Sequence, residues 1–400
     1  MTPTPELAAG VGGFIAPGFE AVAETFARTV GVDGEAGGGF AAVVDGEPVV
    51  DLWGGVADRA RGRAWSGDTL TTIFSGTKGL VATCVLMLAD RGALELETPV
   101  ATYWPEFAAN GKDGLLVRHV LSHTAGLPGL TTPVSVEESL DGERMAALLA
   151  RQPPVYEPGT ICAYHVLTYG WLTGELVRRV DGRSVGRFFH EEVAEPLGLD
   201  AWIGLPEEYE PRVAPFECTP GFGTEIEPLE DAGPDAADEH ARIVWSVLEN
   251  PPERKGFADT RAYRAAEVPA ANGVATARAV ARLYGCLARG GELDGVRLMS
   301  PATAAVAGRE LVRGHDPYRD LPIGYAAGFH INDPQEKDLG PVDHAFGHGG
   351  AGGSTHGCWP RLRTGFSFTT NLLDGPINPR GPRLLDALYR VVADVRRDGC

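Results

Sequence analysis

The stretch from Leu70 to Gly92 constrains this chain most, because it is an apolar, helix-forming run with two reactive side chains at its head. Ser75 and Lys78 lie three positions apart, so in a helix they share one face and point into the same space. Ser75 would also lie in the positive field of the unpaired N–H groups at the helix start. This S-x-x-K spacing is typical of an activated serine nucleophile.

Lysine is rare in this chain, which gives Lys78 additional weight. The four lysines leave arginine to supply the other 31 of the 35 basic residues. Burial in an apolar helix start lowers the pKa of a lysine and turns it into a base. A capping serine followed by a lysine that packs its stem on apolar surface explains the same residues without catalysis. This stretch alone therefore leaves both interpretations open.

Composition narrows the class of protein. The length of 400 residues predicts two or three structural units, and the net charge of −19 argues against nucleic acid or an anionic membrane as a partner. There is no secretory signal pattern and no apolar run long enough to span a bilayer. The six cysteines are scattered without a C-x-x-C pair, which favours reduced thiols in a cytoplasmic protein. Nothing in the sequence fixes the oligomeric state.

Strand patterns concentrate near both ends of the chain, with helical patterns between them. Strands are predicted as a hairpin over 40–56 around Asp45-Gly46, and at 345–348, 355–360 and 365–373. Helices are predicted at 17–30, 117–123, 167–180, 277–289 and 382–397. The acidic, proline-rich stretch 220–252 predicts a loop or lid. The simplest architecture is an α+β catalytic unit, in which residues 1–98 and 266–400 form one sheet domain and 99–265 a mostly helical insertion.

Two further motifs supply groups that a serine hydrolase needs. Tyr164-His165-Val166 follows the turn Pro158-Gly159-Thr160 and precedes a predicted helix. His348-Gly349-Gly350 ends a predicted strand, where glycines let backbone N–H groups approach a ligand closely. Together with Ser75 and Lys78 they provide candidates for nucleophile, base and oxyanion donors.

The motifs Ser75-Gly76-Thr77-Lys78, Tyr164-His165-Val166 and His348-Gly349-Gly350 occur in a characteristic order. In that order and approximate spacing they resemble the three motifs of the serine β-lactamase and penicillin-binding-protein superfamily. The chain looks most like the class C β-lactamase-related esterases, also called family VIII carboxylesterases, over roughly residues 17–397. The segments 121–127 and 158–160 also resemble signature stretches of that group.

The resemblance implies a β-lactamase/transpeptidase-like fold, an antiparallel sheet flanked by helices with a helical domain. It makes Ser75 the acylated nucleophile, Lys78 its base or proton relay, and Tyr164 the phenol that protonates the leaving group. The backbone N–H groups of Ser75 and Ala351 become the oxyanion hole. Substrate-binding positions are His348, Gly349, Gly350, His165 and Val166. Whether Lys78 or Tyr164 is the general base stays open, and we expect a Lys78 cation to depress the pKa of the Tyr164 phenol.

Two departures from the family pattern bear on the substrate. Val166 stands where β-lactamases usually have asparagine, and His348 stands where they usually have lysine. A histidine is mostly neutral at pH 7, so a fixed positive charge suited to an anionic β-lactam or peptide carboxylate is missing. The resemblance therefore implies hydrolysis of a small neutral ester or amide, with no metal or cofactor.

Three other functions have to be weighed. An acyltransferase that passes the acyl group to an amine or alcohol shares every catalytic residue. A β-lactamase or D-amino-acid peptidase is disfavoured by the residues at 166 and 348. A non-catalytic ligand-binding relative would be expected to lose one of Ser75, Lys78 or Tyr164, and all three are present.

Two local patterns point elsewhere and are set aside. Gly182-Arg183-Ser184-Val185-Gly186 matches the G-x-S-x-G nucleophile elbow, but the elbow needs a preceding strand. We therefore expect Ser184 to cap a helix. His119 and His123 have i, i+4 spacing without the glutamate of H-E-x-x-H, which favours structural roles.

Overall fold

The computed structural model describes residues 7–30, 37–219, 222, 232–252, 256–333, 337–375 and 378–398. Within these residues the central element is a nine-stranded sheet in which every neighbouring pair is antiparallel. Its strands are, in spatial order, Val11–Ile15, Glu47–Gly54, Gly38–Val44, Thr364–Thr370, Ser354–Trp359, Phe346–Gly350, His330–Ile331, Leu321–Tyr325 and Val312–Asp316. The sheet therefore joins segments from both ends of the chain.

Shorter strands form small separate pairings. They are Val56–Asp58, Arg63–Ala64, Thr71–Thr72, Ala201–Trp202, Glu217–Cys218, Val274–Ala275, Glu292–Leu293, Val296–Arg297 and Leu372–Leu373. Thr71–Thr72 pairs with Val274–Ala275, which places the start of the Ser75 segment beside residues 270–275.

Helices cover both faces of the sheet and fill the middle of the chain. The α-helices are Glu20–Val30, Thr77–Asp90, Val100–Tyr103, Val117–Leu121, Gly142–Arg151, Thr168–Asp181, Val185–Phe189, Glu195–Leu197, Glu239–Leu248, Arg261–Ala265, Ala277–Ala288, Pro301–Val306 and Arg380–Asp398. Single turns of 3₁₀-helix lie at Phe74–Gly76, Glu138–Leu140, Phe257–Asp259 and Pro360–Leu362, and longer ones at Pro105–Gly111 and Glu207–Arg212. A π-helical turn spans His190–Ala194.

Two hydrophobic cores hold these layers together. On one side, the terminal helices Glu20–Val30 and Arg380–Asp398 bury Phe26 and Leu388 against sheet residues such as Phe366. On the other side, Ala277–Ala288 packs so closely that a β-carbon at Gly365 would overlap the helix backbone. Beyond it lies the larger core, built around the helix Thr77–Asp90.

The helix Thr77–Asp90 is surrounded by protein, as its sequence predicts. Every side chain from Thr77 to Leu88 is buried. A helix that is apolar on all faces gains stability only in such an interior position. The helix ends before Gly92, whose φ of 67° is the left-handed conformation favoured for glycine. The nucleophile candidate therefore sits on one of the most deeply packed elements of the protein.

Most predicted elements are present. The hairpin turns at Asp45 and Gly46, both with positive φ as a tight two-residue turn requires. The prediction of a loop over 220–252 is wrong in part, because Glu239–Leu248 is a helix capped by the side chain of Asp238. Its apolar residues recur at helical spacing, a signal masked by the acidic composition around it. Residues 220–221 and 223–231 lie outside the described part of the chain.

The sheet also contains strands that the sequence patterns did not reveal. The edge strand Val11–Ile15 and the hairpin of Val312–Asp316 with Leu321–Tyr325 were not predicted. The division into a sheet domain of 1–98 with 266–400 and an insertion of 99–265 stays a prediction. In the residues described, no helix combines the length and apolarity needed to cross a bilayer.

Candidate active site

Ser75 lies in the 3₁₀ turn Phe74–Gly76 that leads directly into the helix Thr77–Asp90. Phe74 has a φ of 45°, an uncommon conformation for a bulky side chain. The turn is held from inside: Thr77 Oγ1 donates to the Phe74 carbonyl (2.5 Å) and accepts the N–H of Gly273 (2.8 Å). Strain of this kind persists where the surrounding structure enforces it, and it fixes where the serine points.

Lys78 is completely buried one turn after Ser75. Its Nζ lies 2.8 Å from the Val166 carbonyl oxygen, 3.0 Å from that of Ala270 and 3.3 Å from Ser75 Oγ. Burial holds the pKa of Lys78 well below its usual value, and the charge of Arg319 adds to this. A neutral amine has two N–H donors and one lone pair. With both donors on the two carbonyls, the lone pair is left for the hydroxyl of Ser75.

Tyr164 completes the group. The centroid of its ring lies 4.6 Å from Lys78 Nζ, and its hydroxyl is near enough to Ser75 for the serine side chain to lower its pKa. Burial raises the pKa of Tyr164 to about 12, which outweighs the lowering by Ser75 and by the charge of Arg319. The expectation that a lysine cation depresses this pKa is therefore wrong. Both groups are buried, and burial favours the neutral amine and the neutral phenol.

His348 lies beside Tyr164 on the strand Phe346–Gly350, with ring centroids 5.9 Å apart. Its Nδ1–H donates to the Gly349 carbonyl (2.7 Å), which leaves Nε2 as the acceptor facing the Tyr164 hydroxyl at 3.5 Å. Burial holds the pKa of His348 well below its usual value. The imidazole is therefore neutral at pH 7, as its position in the sequence motif suggests.

Gly350 brings this strand against the Ser75 turn. A β-carbon at Gly350 would overlap the carbonyl of Ile73, so glycine is required for the close approach. Ala351 follows immediately and is exposed. Its N–H and that of Ser75 therefore belong to adjoining segments, and their pairing as an oxyanion hole stays a prediction, as do substrate contacts by Gly349 and Gly350.

His165 does not have the position predicted for it. It is fully buried, its Nδ1–H donates to the Ala163 carbonyl (2.7 Å), and its Nε2 accepts the Leu127 N–H (3.3 Å). Burial lowers its pKa to about 4. With both ring nitrogens engaged it supports the loop, and the prediction that it binds substrate is wrong. Val166 contributes its backbone carbonyl to Lys78, and a substrate contact by its side chain stays a prediction.

The residues set aside in the sequence have structural partners. Ser184 Oγ accepts the Arg187 N–H (3.3 Å) as a helix cap and donates to Glu267 (2.6 Å). His119 Nδ1 accepts the Leu116 N–H (3.3 Å). His123 Nδ1 accepts the N–H of the residue after Tyr164 (3.0 Å), and its ring lies 4.9 Å from that of Tyr164. Among the described residues, no three metal-ligating side chains form a cluster.

Two residues of the site were missed by sequence reasoning. Asp316 Oδ2 accepts the backbone N–H of Tyr164 at 2.8 Å, and the guanidinium carbon of Arg319 lies 4.9 Å from the Tyr164 ring centroid. Both come from the unpredicted hairpin. Asp316-Pro317 is a turn signal that could have located the hairpin, although it carries no information about its distance from Tyr164.

Comparison with known proteins gives a consistent set of relatives. Residues 22–389 match the family model described as Beta-lactamase. The esterase/beta-lactamase LipL from Mycobacterium tuberculosis (strain ATCC 25618 / H37Rv) is 38% identical over 391 residues, which cover 93% of this chain and 86% of that protein. A solved family VIII carboxylesterase is 38% identical with a TM-score of 0.87, covering 95% of this chain and 99% of that chain. A penicillin-binding protein homologue from Caulobacter crescentus is also 38% identical, with the same coverage and a TM-score of 0.84.

Proposed function

Since this chain belongs to the beta-lactamase family, with the resemblance and the β-lactamase-like fold expected from its motifs both confirmed, we propose that it is a serine carboxylesterase. The reaction proceeds through an acyl-enzyme on Ser75. One observation carries this proposal. The fully buried Lys78 amine lies 3.3 Å from Ser75 Oγ and donates to the backbone carbonyls of Val166 and Ala270.

Acylation follows from this arrangement. Lys78 takes the proton of Ser75 while Oγ attacks the ester carbonyl carbon. The carbonyl oxygen becomes negative and is stabilised by the backbone N–H groups of Ser75 and Ala351. The neutral Tyr164 phenol donates its proton to the departing alcohol oxygen, and the Lys78 ammonium returns a proton to the phenolate beside it.

Deacylation uses the same groups with water as the nucleophile. Lys78 is again a neutral amine and accepts a proton from water as its oxygen attacks the acyl carbon. Collapse of the tetrahedral intermediate releases the acid, and Ser75 Oγ recovers its proton from the Lys78–Tyr164 pair. Lys78 is thus the base in both steps, because its pKa is lowered while that of Tyr164 is raised.

The substrate class follows from His348. A neutral imidazole offers one hydrogen bond to a substrate, whereas a lysine there would add a charge-assisted contact worth about 1.5–3 kcal/mol. An anionic β-lactam or peptide carboxylate therefore loses about ten- to hundredfold in binding relative to a site with lysine. Small neutral esters carry no group that needs this contact.

β-Lactam hydrolysis is the second candidate activity. The name of LipL, the relative that is 38% identical, includes both esterase and beta-lactamase. Ser75, Lys78 and Tyr164 would serve both reactions. A D-amino-acid peptidase would likewise need a carboxylate contact that His348 does not supply. Transfer of the acyl group to an amine or alcohol uses the same acyl-enzyme and differs only in the acceptor. We also place the protein in the cytoplasm, where the buried thiols of Cys84, Cys162, Cys286 and Cys358 remain reduced.

The test compares kcat/KM for a p-nitrophenyl ester and a chromogenic cephalosporin in the wild type and in His348→Lys. We expect the wild type to prefer the ester strongly, and the variant to narrow the gap by improving cephalosporin binding about tenfold or more. Preference of the wild type for the cephalosporin would overturn the esterase assignment. Added amines or alcohols that yield more transfer product than acid would identify an acyltransferase instead.

A further inference from the structure

Arg319 lies outside the three sequence motifs that contain Ser75, Tyr164 and His348. It belongs to the turn that joins strands Val312–Asp316 and Leu321–Tyr325, and it is partly exposed. Its guanidinium carbon lies 4.9 Å from the centroid of the Tyr164 ring, within the range of a cation–π contact. Among the described residues no carboxylate forms an ion pair with it. By contrast, Oδ1 of Asp320, the next residue on this turn, lies 3.3 Å from Nε2 of His315.

Asp316 fixes the geometry of this contact. It is 1% exposed, and its Oδ2 accepts the backbone N–H of Tyr164 at 2.8 Å. Its Oδ1 accepts the N–H groups of Tyr318 (2.9 Å) and Arg319 (3.3 Å). One buried carboxylate therefore ties the catalytic tyrosine and the arginine turn into a single frame. The position of Arg319 over the ring is built into the fold.

We propose that Arg319 is a positioning residue of this active site, whose permanent charge, held on the Tyr164 ring through Asp316, keeps the Lys78–Tyr164 pair ready to accept the Ser75 proton. The inference rests on the proposed role of Ser75 as nucleophile. Arg319 touches no reacting atom and acts through its two neighbours.

The other groups around the pair explain why one arginine matters. The titratable and charged groups that face Lys78 and Tyr164 are Ser75, His123, His165, Tyr169, Asp316, Arg319, Tyr325 and His348. Burial lowers the pKa of each of these histidines and raises that of each of these two tyrosines, so all five are neutral. The charge of Asp316 is compensated by three N–H donors. Arg319 is therefore the permanent cation of the described site.

The effect of this charge has the same sign on both partners. Arg319 lowers the pKa of Lys78 and lowers that of Tyr164, in each case as a smaller contribution than burial. It disfavours a resting Lys78 ammonium, and it favours release of the Tyr164 proton to the leaving group. Removing the charge should therefore raise the pH at which the base loses its proton, whichever of the two groups is the base.

The experiment measures the pH dependence of Ser75 acylation by a fluorophosphonate probe, together with kcat/KM for a p-nitrophenyl ester. Arg319→Gln and Arg319→Met remove the charge, Arg319→Lys keeps a charge, and Arg313→Gln removes a charge from the same hairpin away from Tyr164. The acid limb is the pH range in which the acylation rate falls because the base becomes protonated. We expect both neutral variants to shift this limb to higher pH by about one unit. Acylation is then about tenfold slower on that limb, with the alkaline plateau retained. We expect Arg319→Lys and Arg313→Gln to keep the wild-type limb.

Three results would overturn the inference. They are an unchanged acid limb in both neutral variants, an equal shift in Arg313→Gln, or an Arg319→Lys limb that moves as far as that of Arg319→Gln. The last would mean that shape and not charge matters. A wild type that the probe does not label at Ser75 would instead refute the proposed function, so the two failures are distinguishable.

Discussion

Replacing Lys78 by methionine removes the amine beside Ser75 and keeps an unbranched side chain in a fully buried position. Lys112 provides a matched control, because it is also completely buried and its Nζ also donates to backbone carbonyls, those of Ala109, Ala150 and Gln152. The difference between the two lysines is the serine hydroxyl 3.3 Å from Lys78. The pair of variants therefore separates loss of a base from loss of a buried amine.

The expected loss of activity in Lys78→Met is about 10²- to 10⁴-fold, the usual contribution of a general base. Stability responds to two opposed effects. The carbonyls of Val166 and Ala270 lose their donor, at a cost of about 1–3 kcal/mol each. Against this, methionine removes the desolvation of an amine whose pKa burial holds far below normal. These effects nearly offset each other, so we expect a folded protein with little activity.

The pH dependence of the free energy of unfolding can be predicted with a definite sign. Between its depressed folded pKa and its usual value of 10.5, Lys78 is neutral in the folded protein and charged in the unfolded chain. The unfolded state binds one more proton there, so this lysine makes wild-type stability rise with pH by about 1.4 kcal/mol per unit. Lys78→Met lacks that contribution and should therefore be most favoured relative to wild type at the low-pH end of the window.

Chemical unfolding at several pH values measures the stability of each variant, and single-turnover acylation by a p-nitrophenyl ester measures its activity. Lys112→Met, where it folds, should retain acylation near the wild-type rate. A folded Lys78→Met that acylates within tenfold of wild type would refute the assignment of Lys78 as base. Equal loss of acylation in a folded Lys112→Met would show that buried amines matter here for a reason other than the serine.

Tyr164→Phe should lower turnover by about 10²- to 10⁴-fold. Combining it with Lys78→Met should cost little more activity than either change alone, because the two residues act as one proton-transfer unit. Steady-state kinetics of the single and double variants check this, and a double variant whose loss equals the product of the two single losses would contradict it. Asp316→Asn replaces an acceptor of three N–H groups by an amide, and should lower the free energy of unfolding by about 1.5–3 kcal/mol and reduce kcat by displacing Tyr164. Chemical denaturation with kinetics measures both effects, and unchanged kcat in a destabilised variant would remove the positioning role of this carboxylate.

The proximity of Ser75 and Lys78 could be predicted from sequence because these residues combine helical spacing with a position at the head of an apolar run. Ser75 and Lys78 are joined by one helical turn at the head of an apolar run, and the structure places Lys78 within 3.3 Å of Ser75 Oγ. The hairpin at Asp45-Gly46 was equally accessible, because two consecutive residues with positive φ restrict the sequence strongly. Local constraints of this kind can be recognised in a single sequence.

Features that depend on distant contacts were not accessible in this way. Arg319 reaches Tyr164 through a hairpin 155 positions later in the chain, and no periodicity records that distance. His165 was assigned to the substrate because it follows Tyr164, yet its side chain turns inward to bind backbone groups. The helix Glu239–Leu248 was missed because its apolar positions lie within a strongly acidic stretch.

Intact-protein mass spectrometry of the acyl-enzyme tests the central claim most directly. The wild type is quenched during turnover of a slowly deacylated p-nitrophenyl ester, alongside Ser75→Ala and Ser184→Ala. We predict one added acyl mass on the peptide containing Ser75, in the wild type and in Ser184→Ala, and none in Ser75→Ala. Persistence of the adduct in Ser75→Ala, or its loss in a folded Ser184→Ala, would contradict Ser75 as the nucleophile.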